Sequence, residues 1–152
     1  MLFRSLTDNT TEAKLCNTLF DELAARAMIQ GSWTTTIRRA SLARTTNTPT
    51  YEYTYEYQLP VSPKCLKVIT INESKAGDSD YKIEDDKLLT DDSSVKIKYI
   101  AQLTDTADYG VLLTEVIEIL LASYLALPIT GDDRLATLLK QEYQETLFNN
   151  LA

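Results

Sequence analysis

Hydrophobic residues near the start of the chain recur every three or four positions, which is the spacing of one face of an α-helix. This spacing predicts a helix over residues 8–28, with Asn9 as its N-cap and Glu12 reaching back to the Asn9 amide. Gly31 occupies the place where a left-handed glycine commonly ends a helix. A second, short helix is predicted over residues 37–42. The apolar stripe of the first helix consists of Leu15, Cys16, Leu19, Phe20, Leu23, Ala27 and Met28.

The hydrophobic period then changes to two, because tyrosine alternates with polar residues between positions 51 and 59. Strict alternation predicts a β-strand with one aromatic face and one solvated face. Residues 66–72 are apolar at odd and even positions alike, which is typical of a central strand. A hairpin is predicted over residues 81–90 around an acidic turn, followed by a last strand over 95–101.

The helical period returns in the last third of the chain. Residues 111–126 are nearly all apolar, so we expect the most buried helix there, ended by Pro128. Glu115 and Glu118 interrupt the apolar run, which favours a core helix over a membrane span.

A final helix is expected to begin at Thr130, with Asp133 as its capping-box partner. The order of helices, strands and helices predicts an α+β fold, namely an antiparallel helical bundle with a small antiparallel β-sheet and hairpin region inserted. We expect one domain over residues 1–152. Its predicted parts are two helical segments, 1–48 and 104–152, and a β insertion over 50–103.

Composition removes several kinds of chemistry. The 152 residues include no histidine, so a Ser-His-Asp triad, a Cys-His pair and a histidine metal ligand are excluded. The only cysteines, Cys16 and Cys65, are too few for a closed thiolate zinc site and are expected to be reduced small hydrophobes. No signal peptide is apparent. We therefore expect no enzyme, and no catalytic, metal or cofactor site.

The formal net charge is −7, and its excess of acid is concentrated in one stretch. Residues 73–92 hold eight carboxylates and three lysines, which gives this stretch a net charge of −5. The acidic positions do not follow the spacing of an EF-hand calcium loop. We therefore expect a solvated loop and hairpin here.

The alternating tyrosines and a small arginine group are the candidate contact residues. A platform for stacking nucleic-acid bases would need lysine or arginine beside the aromatic rings, whereas these tyrosines alternate with glutamates. The tyrosine face is therefore expected to pack on helices or on a neighbouring subunit. The arginines are either solvated or paired with acids across a subunit boundary. The candidate subunit-interface residues are Trp33, Arg38, Arg39, Arg44, Tyr51, Tyr53, Tyr55 and Tyr57.

Several short segments form an ordered set along nearly the whole chain. They are Ser5-Leu6 with Asp8, Ala13-x-x-Cys16, Trp33, Arg39-Ala40-Ser41-Leu42-Ala43, Tyr53-x-Tyr55-x-Tyr57-Gln58-Leu59-Pro60, Cys65-Leu66-Lys67-Val68, Tyr81 to Leu89, Ile97-Lys98-Tyr99-Ile100 with Thr104-Asp105, and Leu121-Ala122-x-x-Leu125-Ala126-x-Pro128-Ile129-Thr130. In this order they resemble the head-to-tail adaptors of short-tailed bacteriophages, the family called tail tubular protein A. The surroundings of Trp33 depart from the family pattern, because they lack its usual proline and phenylalanine.

The resemblance implies a structural protein of the virion, located at the head–tail junction and assembled in the cytoplasm of the bacterial host. Its copies are expected to form a ring, typically dodecameric, between the portal protein and the tail nozzle protein. The ring would line the channel through which DNA passes without specific binding, and no membrane would be involved. The apolar residues near the chain end are then expected to bind the portal; they are Tyr143, Leu147, Phe148 and Leu151.

Two other interpretations of the sequence stay open. One is a different tail-completion or stopper protein, which the binding of purified portal would distinguish. The other is a small bacterial α+β domain that binds a ligand or regulates a partner. A buried pocket with converging polar groups would favour that second alternative.

Overall fold

A computed structural model describes residues 7–150 and confirms the α+β fold, with three α-helices and seven β-strands in this part of the chain. This part of the chain forms two compact units. The helical unit consists of the described residues up to Thr35 and from Asp105 onward, and the β unit is Thr36–Thr104. The elements in chain order are α1 (Thr11–Gln30), β1 (Ile37–Ser41), β2 (Tyr55–Gln58), β3 (Cys65–Ile71), β4 (Ser74–Lys75), β5 (Lys82–Glu84), β6 (Lys87–Thr90), β7 (Lys96–Ala101), α2 (Val111–Thr130) and α3 (Asp133–Asn149).

In the helical unit, α2 packs against both α1 and α3. Burial of one apolar face on each helix accounts for this packing, since helix stability in proteins comes mainly from such faces. The antiparallel arrangement of a bundle stays a prediction. Its most deeply buried side chains are Ala13, Leu23, Ala27, Met28, Leu113 and Val116.

The start and end of α1 differ from the prediction. Thr10, not Asn9, is the N-cap, and its hydroxyl oxygen accepts a hydrogen bond from the Ala13 amide at 3.1 Å. Gly31 is not left-handed, because its φ of −104° and ψ of 169° are extended. Its lack of a side chain serves packing instead, since a Cβ atom there would lie 2.1 Å from the Trp33 ring.

Residues 37–41 form strand β1, so the short helix predicted over 37–42 is wrong. β1 pairs antiparallel with β7, with Ile37 opposite Ile100 and Ser41 opposite Lys96. A strand partner almost sixty residues further along the chain overrides the weak local helix preference of this segment. The β unit therefore begins at Thr36, earlier than the predicted insertion at residue 50.

Pro128 does not end α2, which continues to Thr130 and stops at Gly131 in the left-handed conformation (φ 70°). By length and composition alone this helix could cross a membrane, although 33% of its most apolar stretch is buried within the protein. Val111 and Leu112 in its first turn are exposed. Six of its 20 residues are buried, and α1, which has the same length, also buries six, so the prediction of a helix more buried than the others is wrong.

The N-cap of α3 is Asp132 rather than Thr130. The Asp132 carboxylate accepts hydrogen bonds from the amides of Arg134 at 2.9 Å and Leu135 at 3.2 Å. Thr130 is unable to start α3 because it still belongs to α2, where its hydroxyl donates to the Ala126 carbonyl at 2.6 Å. The N-cap thus lies two residues later than predicted, and the predicted capping box with Asp133 is wrong, because the residue three positions after Asp132 is Leu135.

The β unit contains two antiparallel sheets, ordered β1-β7-β3-β4 and β2-β6-β5. The β5–β6 hairpin and the last strand, β7, are confirmed. The tyrosine strand is shorter than predicted, because regular pairing begins only at Tyr55. The two sheets share a hydrophobic core, which includes Tyr57, Val68, Ile71, Leu88, Ile97 and Tyr99.

Candidate interaction surfaces

Basic side chains line one face of the four-stranded sheet. Cross-strand pairing places Arg39 opposite Lys98, Lys98 opposite Thr70, and Thr70 opposite Lys75. Lys96 lies two residues before Lys98 and therefore on the same face. The neighbouring residue Ile97 points into the core, so the lysines point away from it. We call Arg39, Lys75, Lys96 and Lys98 the basic face.

The basic face carries charge that the protein itself does not neutralise. None of the four ion pairs found among residues 7–150 includes a member of this face. Arg39 and Lys98 are direct cross-strand partners, and like charges in that position destabilise a sheet. Folding alone therefore gives no reason for this arrangement of cations.

A groove of about 430 Å³ lies on the basic face. Arg39, Lys96 and Lys98 line it together with the hydroxyl-bearing residues Ser41 and Thr70. Glu73 is the single carboxylate in the lining. Three cations and two hydroxyls against one carboxylate make the groove suited to an anionic group.

The tip of the β5–β6 hairpin is acidic, and hydrogen bonds hold it at Asp86. The Asp86 carboxylate accepts hydrogen bonds from Lys87 Nζ at 2.6 Å and from Gln58 Nε2 at 2.9 Å, and these bonds lower the pKa of Asp86. The Asp86 carbonyl also accepts from the Leu59 amide at 2.9 Å. Asp85 is exposed at the turn with a φ of 54°. We call residues 84–87 the hairpin tip.

The predicted tyrosine ladder divides between core and surface. Tyr57 is 2% exposed, and its hydroxyl donates to the Asp92 carbonyl at 2.7 Å. Tyr55 is half-buried beneath Arg44, whose guanidinium carbon lies 4.8 Å from the ring centroid. These two tyrosines pack within the β unit, which is neither the packing on helices nor the packing on a neighbouring subunit expected from the sequence.

The other two tyrosines lie before the strand. Tyr53 is half-buried and donates its hydroxyl to the Asp80 carboxylate at 3.0 Å, and this bond raises the pKa of Tyr53. Tyr51 is 75% exposed. Glu52 between them has a φ of 72°, which breaks the extended alternation predicted from the sequence. Tyr51 is therefore the member of the ladder most accessible to another molecule.

Trp33 and the three arginines do not form one patch. Trp33 is 5% exposed in the helical unit, where its Nε1 donates to the Ala27 carbonyl at 2.7 Å. Arg38 lies opposite Tyr99, whereas Arg39 lies on the basic face, because neighbouring residues of a strand point to opposite sides. Arg44 stacks on a tyrosine ring instead.

Sequence reasoning missed the lysines of the basic face. Their period of two along the last strand was visible, but their position beside Arg39 depends on the pairing of β1 with β7. The local pattern predicts a helix over residues 37–42, and a helix there would not place Arg39 beside Lys98. The basic face therefore depends on a contact between distant parts of the chain, which local sequence patterns do not show.

Only one described residue of the predicted portal-binding group is accessible. Tyr143 and Leu147 are buried, and the Tyr143 hydroxyl donates to the Gln30 side chain of the same unit. Phe148 is 75% exposed. Leu151 lies outside the described residues. Phe148 is accordingly the described side chain of this group that a partner can contact.

The helical unit exposes most of the accessible apolar groups. Among residues 7–150, twelve large hydrophobic side chains are exposed, and nine of them belong to this unit. Exposed apolar side chains are typical of protein–protein contacts where several of them adjoin. The nine are Ile29, Val111, Leu112, Tyr124, Leu127, Ile129, Leu135, Leu138 and Phe148.

The two cysteines are free thiols, with Cys16 buried and Cys65 half-buried. Burial raises the pKa of both thiols, and that of Cys65 reaches about 11. Because the thiolate is the reactive form, a raised pKa leaves little reactive Cys65 near neutral pH.

We therefore expect the Cys16→Ala variant to react slowly with a thiol reagent at about pH 8. The native rate should be at least roughly 100-fold below the rate in urea, where the Cys65 pKa returns to its ordinary value. Both rates are measured by quenching the reaction at successive times and determining the labelled fraction by intact-protein mass spectrometry. Equal rates in the native and unfolded protein would show that Cys65 is not protected.

No metal-binding group of three or more Cys, Asp or Glu side chains occurs in the part of the chain that the structure describes. The chain matches no protein-family model, and no curated protein matches it. Function is therefore inferred from the surfaces above and from the sequence resemblance.

Proposed function

We propose that this chain is a non-catalytic structural subunit of a bacteriophage head-to-tail adaptor, forming a ring between the portal and the tail nozzle. The observation that carries the proposal is the concentration of exposed apolar side chains on the helical unit, where nine of the twelve lie. Leu135 and Leu138 are three residues apart in α3 and therefore lie on one face of that helix, as the apolar groups of a protein contact do. The ordered resemblance to the adaptor family supplies the kind of assembly.

The two units suit different contacts. The helical unit exposes apolar side chains such as Leu138 and Phe148, which suit the portal. The β unit carries charge of both signs: cations outside any ion pair on the basic face, and an excess of carboxylates at the hairpin tip, where Asp85 is in none of the four ion pairs. Charged surfaces set the orientation and partner choice of neighbouring subunits.

The net charge of −7 supports a channel that DNA crosses without adhering. A duplex carries dense negative charge, so an acidic ring repels it at short range. We expect the free protein to show no tight, salt-sensitive binding to duplex DNA. Cations exposed to the channel would oppose sliding, so the basic face is expected to be covered in the ring.

The test of the portal contact is capture on a purified portal ring from the same phage, observed by electron microscopy and pull-down. We expect the wild type to bind as a ring, and Phe148→Asp and Leu138→Asp to weaken capture at least about tenfold by burying a charge. Both positions are exposed, so the variants should keep the wild-type circular dichroism spectrum.

Val61→Asp is the matched control, because Val61 is an exposed apolar residue of the β unit. It should bind the portal like the wild type. Truncation after Glu142 is less informative, since it also removes the buried residues Tyr143 and Leu147. Failure of the wild type to bind, or binding only to a portal that already carries another ring protein, would reject the adaptor position.

A further inference from the structure

We propose that the basic face is the docking site for the hairpin tip of a second copy of this chain. This inference rests on the ring-forming role proposed above and names the surfaces that join one subunit to the next. The occupant is identified by charge. The groove presents three cations and one carboxylate. The hairpin tip presents three carboxylates and one ammonium group, a net charge of −2, which is still −1 when the Lys82 ammonium 3.5 Å from Glu84 is counted with it. The two surfaces are therefore complementary in sign.

The contacts of the hairpin tip lie within its own sheet and at the end of β2. Asp86 binds the Gln58 side chain and the Leu59 amide, and the Glu84 carboxylate lies 3.5 Å from Lys82 Nζ. None of the four ion pairs found among residues 7–150 joins the tip to the basic face of the same copy. The basic face of one copy is therefore left for the tip of another copy.

The position of the groove also directs the tip to a second copy. The basic face is the outer side of the four-stranded sheet, and the inner side contacts the core shared with β2 and β6. The sheet that carries the hairpin contributes Tyr57 and Leu88 to that core, and none of the residues that line the groove belongs to it. The ion pairs observed within the β unit involve Lys82 and Lys87 and leave the cations of the basic face uncompensated.

A contact of this kind can repeat from copy to copy. Groove and tip are different surfaces, so each subunit in a chain uses its own tip on one neighbour and its own groove on the other. Repetition of such a head-to-tail contact closes into a ring when the rotation between subunits allows it. The bonds of Asp86 to Gln58 and Leu59 favour the contact, because they fix the position of the turn before docking.

The experiment measures self-association of the full chain by sedimentation velocity, at low salt and at high salt. We expect association that weakens as salt rises, since the contact is between opposite charges. Lys96→Glu/Lys98→Glu and Glu84→Lys/Asp85→Asn should each lower the association constant at least about tenfold. Asparagine is chosen at position 85 because it tolerates the positive φ there.

Mixing the two variants gives the decisive result. Lys96→Glu/Lys98→Glu keeps a wild-type tip, and Glu84→Lys/Asp85→Asn keeps a wild-type groove, so these two surfaces can still bind each other. The altered groove is now negative and the altered tip positive, so they are also opposite in charge. We expect the mixture to associate although neither variant does so alone. Recovery in the mixture also shows that both variants are folded.

Lys14→Glu/Arg134→Glu is the matched control for Lys96→Glu/Lys98→Glu. It makes the same change in net charge, but on exposed residues of the helical unit. It should associate like the wild type. The inference is overturned if the wild type shows no salt-sensitive association, if the control loses association equally, or if the mixture does not recover.

Duplex DNA is the other polyanion that the basic face could hold, and fluorescence anisotropy with a labelled duplex tests it. Duplex binding by the wild type that Lys96→Glu/Lys98→Glu abolishes would assign the groove to nucleic acid and overturn the inference. The portal assay is independent of these measurements. Portal capture without self-association rejects the docking site alone, whereas salt-sensitive self-association with failed portal capture rejects the adaptor role alone.

Discussion

Replacing Gly31 with alanine should destabilise the protein by about 3 kcal/mol, at the upper end of the usual range for forcing extra volume into a packed core. The added Cβ atom would lie 2.1 Å from Trp33 Cε2 and 2.3 Å from Trp33 Nε1, well inside contact distance. The ring is not free to move aside, because it is 5% exposed and its Nε1 is bonded to the Ala27 carbonyl. Urea unfolding followed by circular dichroism measures the change in free energy.

The backbone conformation of Gly31 distinguishes a clash with the Trp33 ring from the usual cost of replacing a glycine, which is strain in a left-handed backbone. Its extended conformation is open to any residue, so loss of a left-handed glycine contributes nothing. Gly77→Ala is the matched control, since no atom lies within 4 Å of the added Cβ and its φ is not in the left-handed region. The control should change the free energy of unfolding by no more than about 0.5 kcal/mol.

A double-mutant cycle shows whether the Trp33 ring is the obstacle. Trp33→Ala alone should cost about 3 to 5 kcal/mol, the range for removing a large buried aromatic side chain. With the ring gone, Gly31→Ala should add almost nothing, so the two effects are strongly non-additive. Additive losses, or a Gly31→Ala variant as stable as the wild type, would contradict the close approach of the ring.

Gly31 also shows where local sequence patterns stop being informative. A glycine after an amphipathic run predicts a left-handed helix end, and the position was right although the reason was not. The actual constraint is the side chain of Trp33, two residues later, whose direction no periodicity reveals. By contrast, Gly131, for which no helix end was predicted, is left-handed at the end of α2. The proline pattern predicts that α2 ends at Pro128, three residues before Gly131.

Strong periodicity predicted the elements whose stability is mainly local. The 3.6-residue spacing of α1 and the hairpin around Asp85 and Asp86 both appear in the structure. Strand β1 could not be predicted in the same way, because its five residues include two arginines, an alanine and a serine. Its conformation is decided by pairing with β7, which is a contact between distant parts of the chain.

The candidate surfaces were predicted only in part for the same reason. The tyrosines were recognised as contact residues, but alternation does not show which of them a short strand will bury. The basic face needed the register of four strands at once, with Arg39 and Lys98 brought together across β1 and β7. Excess acid at residues 73–92 was visible directly, because charge is a property of the sequence itself.

Tyr57→Ala should destabilise the protein by about 3 to 5 kcal/mol, whereas Tyr51→Ala should change its stability by no more than about 0.5 kcal/mol. Tyr57 is 2% exposed in the core between the two sheets, so its removal leaves a cavity there. Tyr51 is 75% exposed and precedes the strand, so truncation leaves no cavity. Thermal and urea unfolding of both variants measure the difference.

Tyr57→Phe separates packing from hydrogen bonding, because it keeps the ring and removes only the bond to the Asp92 carbonyl at 2.7 Å. It should cost about 0.5 to 1.5 kcal/mol, the usual net value of one hydrogen bond. Similar losses for Tyr51→Ala and Tyr57→Ala would mean that the alternation predicted from the sequence, with all tyrosines on one buried face, describes the protein better than the break at Glu52. A large loss confined to Tyr57→Ala would instead show that the Tyr51 side chain contributes nothing to folding. The exposed ring of Tyr51 is then available for contact with another molecule.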